Sequence, residues 1–393
     1  MKLACVVHRF GAEIAGGSEA HCRVIAEHLA ERHDVTVYTT TAKDHITWQN
    51  EYPPGVTRHG RLEIRRFPVA RLRSLHRFAE LSEVVFGGAG SEDDEIQWFR
   101  ENGPETPQLL DDLAANAHRY DRILFWSFRY YQTFFGLPLV GDRAVLVPTA
   151  EDDPVMRFDV LGRFFTLPSG FVFLTPEEEA LVARRAAGPL APSCIIGSGL
   201  EPAPLSSPAR PADLDVTPPF FLYLGRIDPN KGCRTLLNHY LRYQSETSST
   251  VTLVLAGPAN MPIPDHPLVR RLGFVSEAAR GWLLSNAVAL VVPSPYESLS
   301  MVLLEAWNHA VPALVNGRCE VLRGQVLRAD GGLYYRSYDE WAAGLSYLLQ
   351  HPDTARQLGR QGQAYVDREY RWPQVVGTLE TFLGSLDRRA AVG

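Results

Sequence analysis

Along the chain, short dense apolar runs alternate with longer stretches of amphipathic spacing. Leu3 to Val7, Val35 to Thr39, Ile123 to Trp126, Ala144 to Val147 and Phe171 to Leu174 have the length and branched content of strands buried on both faces of a parallel sheet. Between the first two, Ser18 to about Arg32 has helical spacing, which predicts a βα unit. Thr175-Pro-Glu-Glu178 predicts a helix start, with Thr as cap, Pro at the first helical position and Glu three residues after the cap. A second series follows: strands from Phe220 to Leu224, Val251 to Leu255 and Ala289 to Val292, with helices from about Gly232 to Tyr243, after Ser276 and through Glu305. Three helices end the chain, from Tyr338 to Gln350, Asp353 to about Tyr370, and Pro373 to about Leu386.

The two series are separated by a change in composition. Pro202, Pro204, Pro208, Pro211, Pro218 and Pro219 fall among Ser and Ala, which predicts a semi-rigid linker over 201–219. The expectation is an α/β protein with two βαβ domains, over 1–200 and 220–371, and a terminal helical segment over 372–393. A length of 393 residues fits two cores better than one.

Composition narrows the function. A net charge of -6 disfavours a dedicated nucleic-acid binder. Five cysteines, scattered and without a CxxC pair, argue against a disulfide framework or zinc ribbon and fit a reducing cytoplasm. The apolar run before His8 and Arg9 is too short for a signal-peptide core, and no run reaches the ~20 residues of a membrane span. The twelve histidines show no HExxH spacing, and no metal is expected.

In parallel sheets ligands collect beyond the carboxyl ends of the strands. The exit of the 220–224 run reads Gly225-Arg226-Ile-Asp228-Pro-Asn-Lys231-Gly232, where Arg226 can grip phosphate as a planar fork, Lys231 can act as a point charge and Gly225 lets backbone approach. A solvated turn has the same composition. The exit of the 289–292 run carries Glu297 in a small polar loop, then a helix from about Ser300 with Glu305 among apolar residues. N–H groups around Leu299 to Val302 would suit anionic oxygen, and Glu305 would need hydroxyl or amide donors. In a purely structural reading, Glu305 would satisfy a local cap and Glu297 would be a surface charge.

Gly225-Arg226, Lys231-Gly232, Gly257, Gly273-Phe274-Val275 and Glu297 with Glu305 together resemble the donor half of a GT-B glycosyltransferase of family 4. Gly16-Gly17-Ser18-Glu19 resembles the glycine-rich loop of that family's N-terminal domain. The terminal helices resemble the tail that crosses back onto that domain. The resemblance implies two Rossmann-like domains with an interdomain cleft and a retaining, metal-independent transfer from a nucleotide-sugar to a glycan, glycolipid or other hydroxyl acceptor, in bacterial polysaccharide, lipopolysaccharide or glycolipid assembly. It assigns Glu297, Arg226 and Lys231 to catalysis. Gly225, Gly257, Phe274, Val275, Ser298, Leu299, Ser300, Met301, Val302 and Glu305 would hold the donor, with Glu305 on the ribose and Phe274-Val275 at the base. No cofactor beyond the substrate is implied.

Two departures stand out. The family's usual Glu-Gly-Phe-Gly is here Glu297-Ser298-Leu299-Ser300, which predicts a tighter sugar pocket. Glu151, followed by Asp152, stands where many relatives carry His before acidic residues, so the His role does not carry over and the pair reads either as acceptor-side or as surface acids. Arg58, Arg61, Arg65, Arg66, Arg71, Arg73 and Arg77 interleave with apolar residues over 58–78, a pattern that suits either a peripheral contact with anionic membrane or a solvated face. A GT-B-like nucleotide-sugar isomerase and a non-catalytic sugar-nucleotide binding protein are the alternatives. A dehydrogenase is disfavoured because neither domain opens with GxGxxG.

Overall fold

The computed structural model describes residues 1–14, 16–204 and 209–390; Pro208 of the expected linker and the end of the terminal segment at 391–393 lie outside the described residues. The chain divides into two compact units, Met1–Gly197 with Val375–Gly393, and Ser198–Gln374.

The first unit is built on an eight-stranded sheet: β1 (Lys2–Val6), β2 (Asp34–Thr40), β3 (Gly55–His59), β4 (Leu62–Phe67), β5 (Arg122–Trp126), β6 (Ala144–Val147), β7 (Gly170–Phe173) and β8 (Ser193–Ile195), in the order β3-β4-β2-β1-β5-β6-β7-β8. Its central strands are buried along nearly their whole length, which is why they read as continuous apolar runs. The β3–β4 hairpin is antiparallel and was not anticipated from the sequence. Every residue of β3 is exposed, so it carries no apolar signal. Helices Leu75–Phe86, Glu92–Asn102 and Pro107–Asn116 follow the hairpin and were also missed.

The arginine-rich stretch runs through this region, and most of its guanidiniums are bonded within the protein. Arg65 pairs with Asp112, Arg66 donates to the Phe10 carbonyl at 2.9 Å, and Arg71 binds Glu101 and Glu105 at 2.9 and 3.0 Å. Arg73 bonds the carbonyls of Asn102, His45 and Ile46 and lies over the Trp48 ring. These contacts make much of the stretch a set of internal crosslinks rather than a solvated face.

The second unit holds a parallel sheet of six strands: β9 (Phe220–Leu224), β10 (Thr252–Ala256), β11 (Val269–Gly273), β12 (Ala289–Val292), β13 (Ala313–Asn316) and β14 (Gly332–Tyr335), in the order β11-β10-β9-β12-β13-β14. The switch in order lies at β9–β12, where the ends of two neighbouring strands open toward different helices. The helix Met301–Asn308, which follows β12, is anchored by Trp307. This ring is fully buried, donates to the Gly331 carbonyl at 2.7 Å, and packs against Gly362 of the helix Pro352–Glu369. A Cβ at Gly362 would come within 2.3 Å of the indole, which accounts for a glycine costing about 1 kcal/mol inside a helix.

Within the proline-rich stretch Leu214 and Val216 are buried and most other described residues are exposed, and the described part forms neither helix nor strand. The last helix, Trp372–Ala390, enters the first unit from Val375 onward: Val375, Leu379 and Leu383 are buried and Glu380 binds Arg32 and His33 at 2.8 and 3.0 Å.

Candidate active site

Glycines shape the exits of the second sheet. Gly225, Gly257 and Gly273 follow or end β9, β10 and β11 at φ of 137°, 144° and 67°, values a side chain rarely adopts. The Gly225 N–H donates to the Ala256 carbonyl at 2.9 Å and the Gly257 N–H to the Gly273 carbonyl at 2.7 Å; a Cβ at Gly257 would stand 2.0 Å from the Gly225 oxygen. Backbone rather than side chains therefore forms this rim. Beyond it Phe274 is 90% exposed and Val275 half-buried.

Gly232 brings the two sequence-predicted loops together. Its φ is 75°, and a Cβ there would lie 2.3 Å from the Pro293 carbonyl, so only glycine lets the β9 exit seat against the β12 exit. Asp228 caps the short turn Pro229–Lys231 through the Asn230 N–H at 2.9 Å. Lys231 then reaches across, its Nζ donating to Glu297 Oε1 at 3.0 Å. Arg226 stands on the same loop, its guanidinium nearly half exposed and 3.8 Å from Asp228.

Glu305 differs from expectation. It was read as a carboxylate awaiting hydroxyl or amide donors, but Arg280 of the helix Glu277–Asn286 donates to its Oε2. Burial raises its pKa, and the Arg280 charge opposes that rise. One oxygen is thus engaged by a guanidinium on a helix the sequence analysis assigned no role. The expected row of donors at Leu299 to Val302 also needs correction, since the Ser300 N–H is taken by Gln325 Oε1 at 3.1 Å. Leu299 is buried, and Met301 and Val302 are half-buried at the helix start.

In the first unit the glycine-rich loop leads into a closed cluster. Gly16 is the cap of the helix Gly17–Leu29, and Ser18 Oγ donates to Glu19 Oε2 at 2.9 Å. Glu19 is buried, its Oε1 2.8 Å from His8 Nε2 and also bound by Arg9. Despite burial, those two partners hold its pKa well below the usual carboxylate range. His8 in turn stacks on Tyr130 at 3.5 Å between ring centroids. A Cβ at Gly16 would meet the Glu19 carboxylate, whereas one at Gly17 meets open space. Glu19, expected in a ligand-facing loop, is an internal anchor.

Glu151 and Asp152 lie on the loop after β6. Asp152 is exposed, and Asp153 beside it binds Arg129 at 2.6 Å, near the Glu151 charge. The loop is fixed by Glu178, which had no assigned role beyond a helix start: fully buried, it accepts from the Ala150 and Leu174 N–H groups at 2.6 and 2.7 Å. Burial pushes its carboxyl up to about 8 against those hydrogen bonds.

Residues 218–351 match the family of glycosyl transferases group 1. Alpha-maltose-1-phosphate synthase of Mycolicibacterium smegmatis is 27% identical over 205 residues, which cover 46% of this chain and 52% of that protein; the chain spans about half the length of this curated relative. Solved structures extend the likeness to the whole fold. Sucrose-phosphate synthase from Thermosynechococcus elongatus aligns over 100% of both chains at a TM-score of 0.71 and 18% identity. Trehalose 6-phosphate synthase from Burkholderia multivorans aligns over 99% and 100% at 0.72 and 14%, and Anabaena HepE in complex with UDP and glucose over 98% and 100% at 0.68 and 15%. The second-unit loops described above thus fall within the residues that match glycosyl transferases group 1, in a mixed α/β chain whose two largely parallel-sheet domains match the fold of GT-B glycosyltransferases.

Proposed function

We propose that the protein transfers a sugar from a nucleotide-sugar to an acceptor hydroxyl with retention at the anomeric carbon, as a member of glycosyltransferase family 4. The carrying observation is the Lys231–Glu297 pair, which joins the exits of β9 and β12 at the switch in strand order. Lys231 has three N–H donors, so it can keep Glu297 and still reach a phosphate oxygen. As the glycosidic bond breaks, Lys231 and Arg226 neutralise the charge growing on the leaving diphosphate, and Glu297, already oriented by Lys231, accepts from hydroxyls of the transferred sugar. Glu305 accepts from the ribose through the oxygen that Arg280 leaves uncovered. Two cations supply the charge a divalent ion would otherwise supply, so no metal is required.

The rim of Gly225, Gly257 and Gly273 leaves room for a flat base beside Phe274. Glucose and UDP accompany the HepE neighbour, so UDP-sugars are the first donors to try. The acceptor is a glycan, glycolipid or phosphosugar hydroxyl. The test incubates the protein with UDP-, GDP-, ADP- and dTDP-sugars in excess EDTA, with and without acceptor extracts, and follows nucleotide release and the anomeric configuration of the product. Acceptor-dependent release with retained configuration is expected. Release only after Mn²⁺ is added would overturn the metal-free account, and inverted product would overturn retention.

A further inference from the structure

One crossover grips the Glu297 loop from below. The end of β13, the turn after it and the helix Glu320–Ala329 touch the loop 293–300 at three separate places. Asn316 Nδ2 donates to the carbonyls of Pro293 and Ser294, both at 3.3 Å. The buried Cys319 thiol, pushed up to about 11 by burial, lies against the backbone N–H of Glu297 and near its carboxylate. Gln325, with no exposed surface, accepts from the Ser300 N–H at 3.1 Å and so fixes the residue that caps the helix Met301–Asn308.

The Gln325 contact is the least replaceable. Gln325 Nε2 and Ser300 Oγ are buried without a hydrogen-bond partner among the described residues. Burying polar groups without partners costs stability, so a fully buried amide here is poor design for stability alone. Its oxygen nevertheless ties down the backbone where the loop turns into the helix. Its hydrogen bond goes to Ser300 and not to Glu297, Lys231 or Glu305 among the described residues, so its part is indirect.

We propose that Gln325 is a positioning residue: through the Ser300 N–H it sets the path of the loop 297–300 and thereby holds Glu297 against Lys231. The inference rests on the transferase reading of Glu297 for its consequence in turnover, but its structural half stands apart from that reading. Replacing Gln325 by Met keeps the volume and removes the acceptor; replacing it by Glu restores an acceptor beside the positive end of a helix.

The test measures amide hydrogen exchange over 294–304, melting temperature, donor KM and kcat for wild type, Gln325→Met and Gln325→Glu. Gln325→Met is expected to speed exchange in that segment and to lower kcat roughly 10- to 100-fold with little change in KM, the cost of a displaced group remote from the chemistry. Gln325→Glu is expected to restore both. Unchanged exchange in Gln325→Met, or faster exchange with unchanged kcat, overturns the proposal. So does a global rise in exchange in Gln325→Met that Gln325→Glu fails to reverse, which marks a core residue only. If wild type turns over no nucleotide-sugar, the transferase reading falls, and exchange alone decides the placement of the loop.

Discussion

Both units gather charge at the carboxyl ends of their central strands, but they treat it differently. In the first, Arg9 and Glu19 side chains are only 7% and 6% exposed and engage one another and His8. In the second, Lys231 is 29% exposed, Glu297 14% and Arg226 45%. A buried charge surrounded by internal partners holds the fold, because removing one member strands the others in a low-dielectric interior. A charge pair still reached by solvent can exchange water for a ligand. The glycine-rich loop of the first unit and the two acidic positions of the second have similar sequence prominence, yet Glu19 is closed off by its own neighbours while Glu297 pairs with a lysine that solvent still reaches.

The largest effect expected from this contrast is on stability. Glu19→Ala should destabilise the protein by about 3–5 kcal/mol, read by denaturant unfolding, because Arg9 and His8 lose their shared acceptor. Nucleoside diphosphate affinity of the folded fraction should be unchanged. A loss of affinity with intact stability would erase the distinction between the units.

Next comes Lys231→Ala, the mirror case. It should leave stability within about 1 kcal/mol, since its ion pair is partly exposed. Turnover should fall by about 2–4 kcal/mol in transition-state stabilisation, measured as kcat/KM. Equal losses of stability and turnover would make the lysine structural.

The closed character of the first unit also predicts a pH response. His21 Nε2 lies 2.8 Å from the Gly197 carbonyl and Nδ1 accepts from Trp126 Nε1 at 3.0 Å, an arrangement that fixes the neutral ring with Nε2 as donor. Burial lowers its pKa to about 4. The unfolded chain therefore takes up a proton first, so His21's contribution is complete above about pH 6.5 and is lost as pH falls toward 4, by up to roughly 3 kcal/mol. His21→Gln preserves both hydrogen bonds and should flatten unfolding free energy over that window; an unaltered slope would show that other groups set it.

A smaller effect is expected at Glu305. Glu305→Gln should weaken nucleoside diphosphate binding by about 1.5 kcal/mol, the scale of one charge-assisted hydrogen bond, as measured by calorimetry. Arg280 loses its ionic partner in the same variant, so a fall in melting temperature without a fall in affinity would assign the carboxylate to the Arg280 pair alone.

How much of this could be read beforehand depended on burial. Ala144–Val147, Phe220–Leu224, Ala289–Val292 and Tyr338–Gln350 have the limits their apolar pattern predicts, and the Thr175 cap receives the Glu178 N–H as anticipated. The hairpin was invisible because β3 faces solvent throughout, and β11, Val-Arg-Arg-Leu-Gly, is mostly polar. At the site, Lys231, Glu297 and Glu305 announced themselves as charges beside apolar strands and helices. The groups that hold Glu305 and Ser300 did not. Arg280 and Gln325 sit on helices whose charged and amide residues look like ordinary surface positions, and only tertiary folding turns them toward Glu305 and Ser300. The Glu19 cluster misled for the opposite reason: a glycine-rich loop signals close approach, but the approaching groups are its own neighbours His8 and Arg9.

The central claim is that the open charges of the second unit, and not the closed ones of the first, hold the nucleotide. Calorimetric titration of UDP and its GDP, ADP and dTDP counterparts into wild type, Lys231→Ala, Glu305→Gln and His21→Gln tests it most directly. The account predicts saturable binding of at least one nucleoside diphosphate in EDTA, weakened in Lys231→Ala and Glu305→Gln and equal to wild type in His21→Gln. Absence of binding to wild type, or equal affinity in all four proteins, would contradict it.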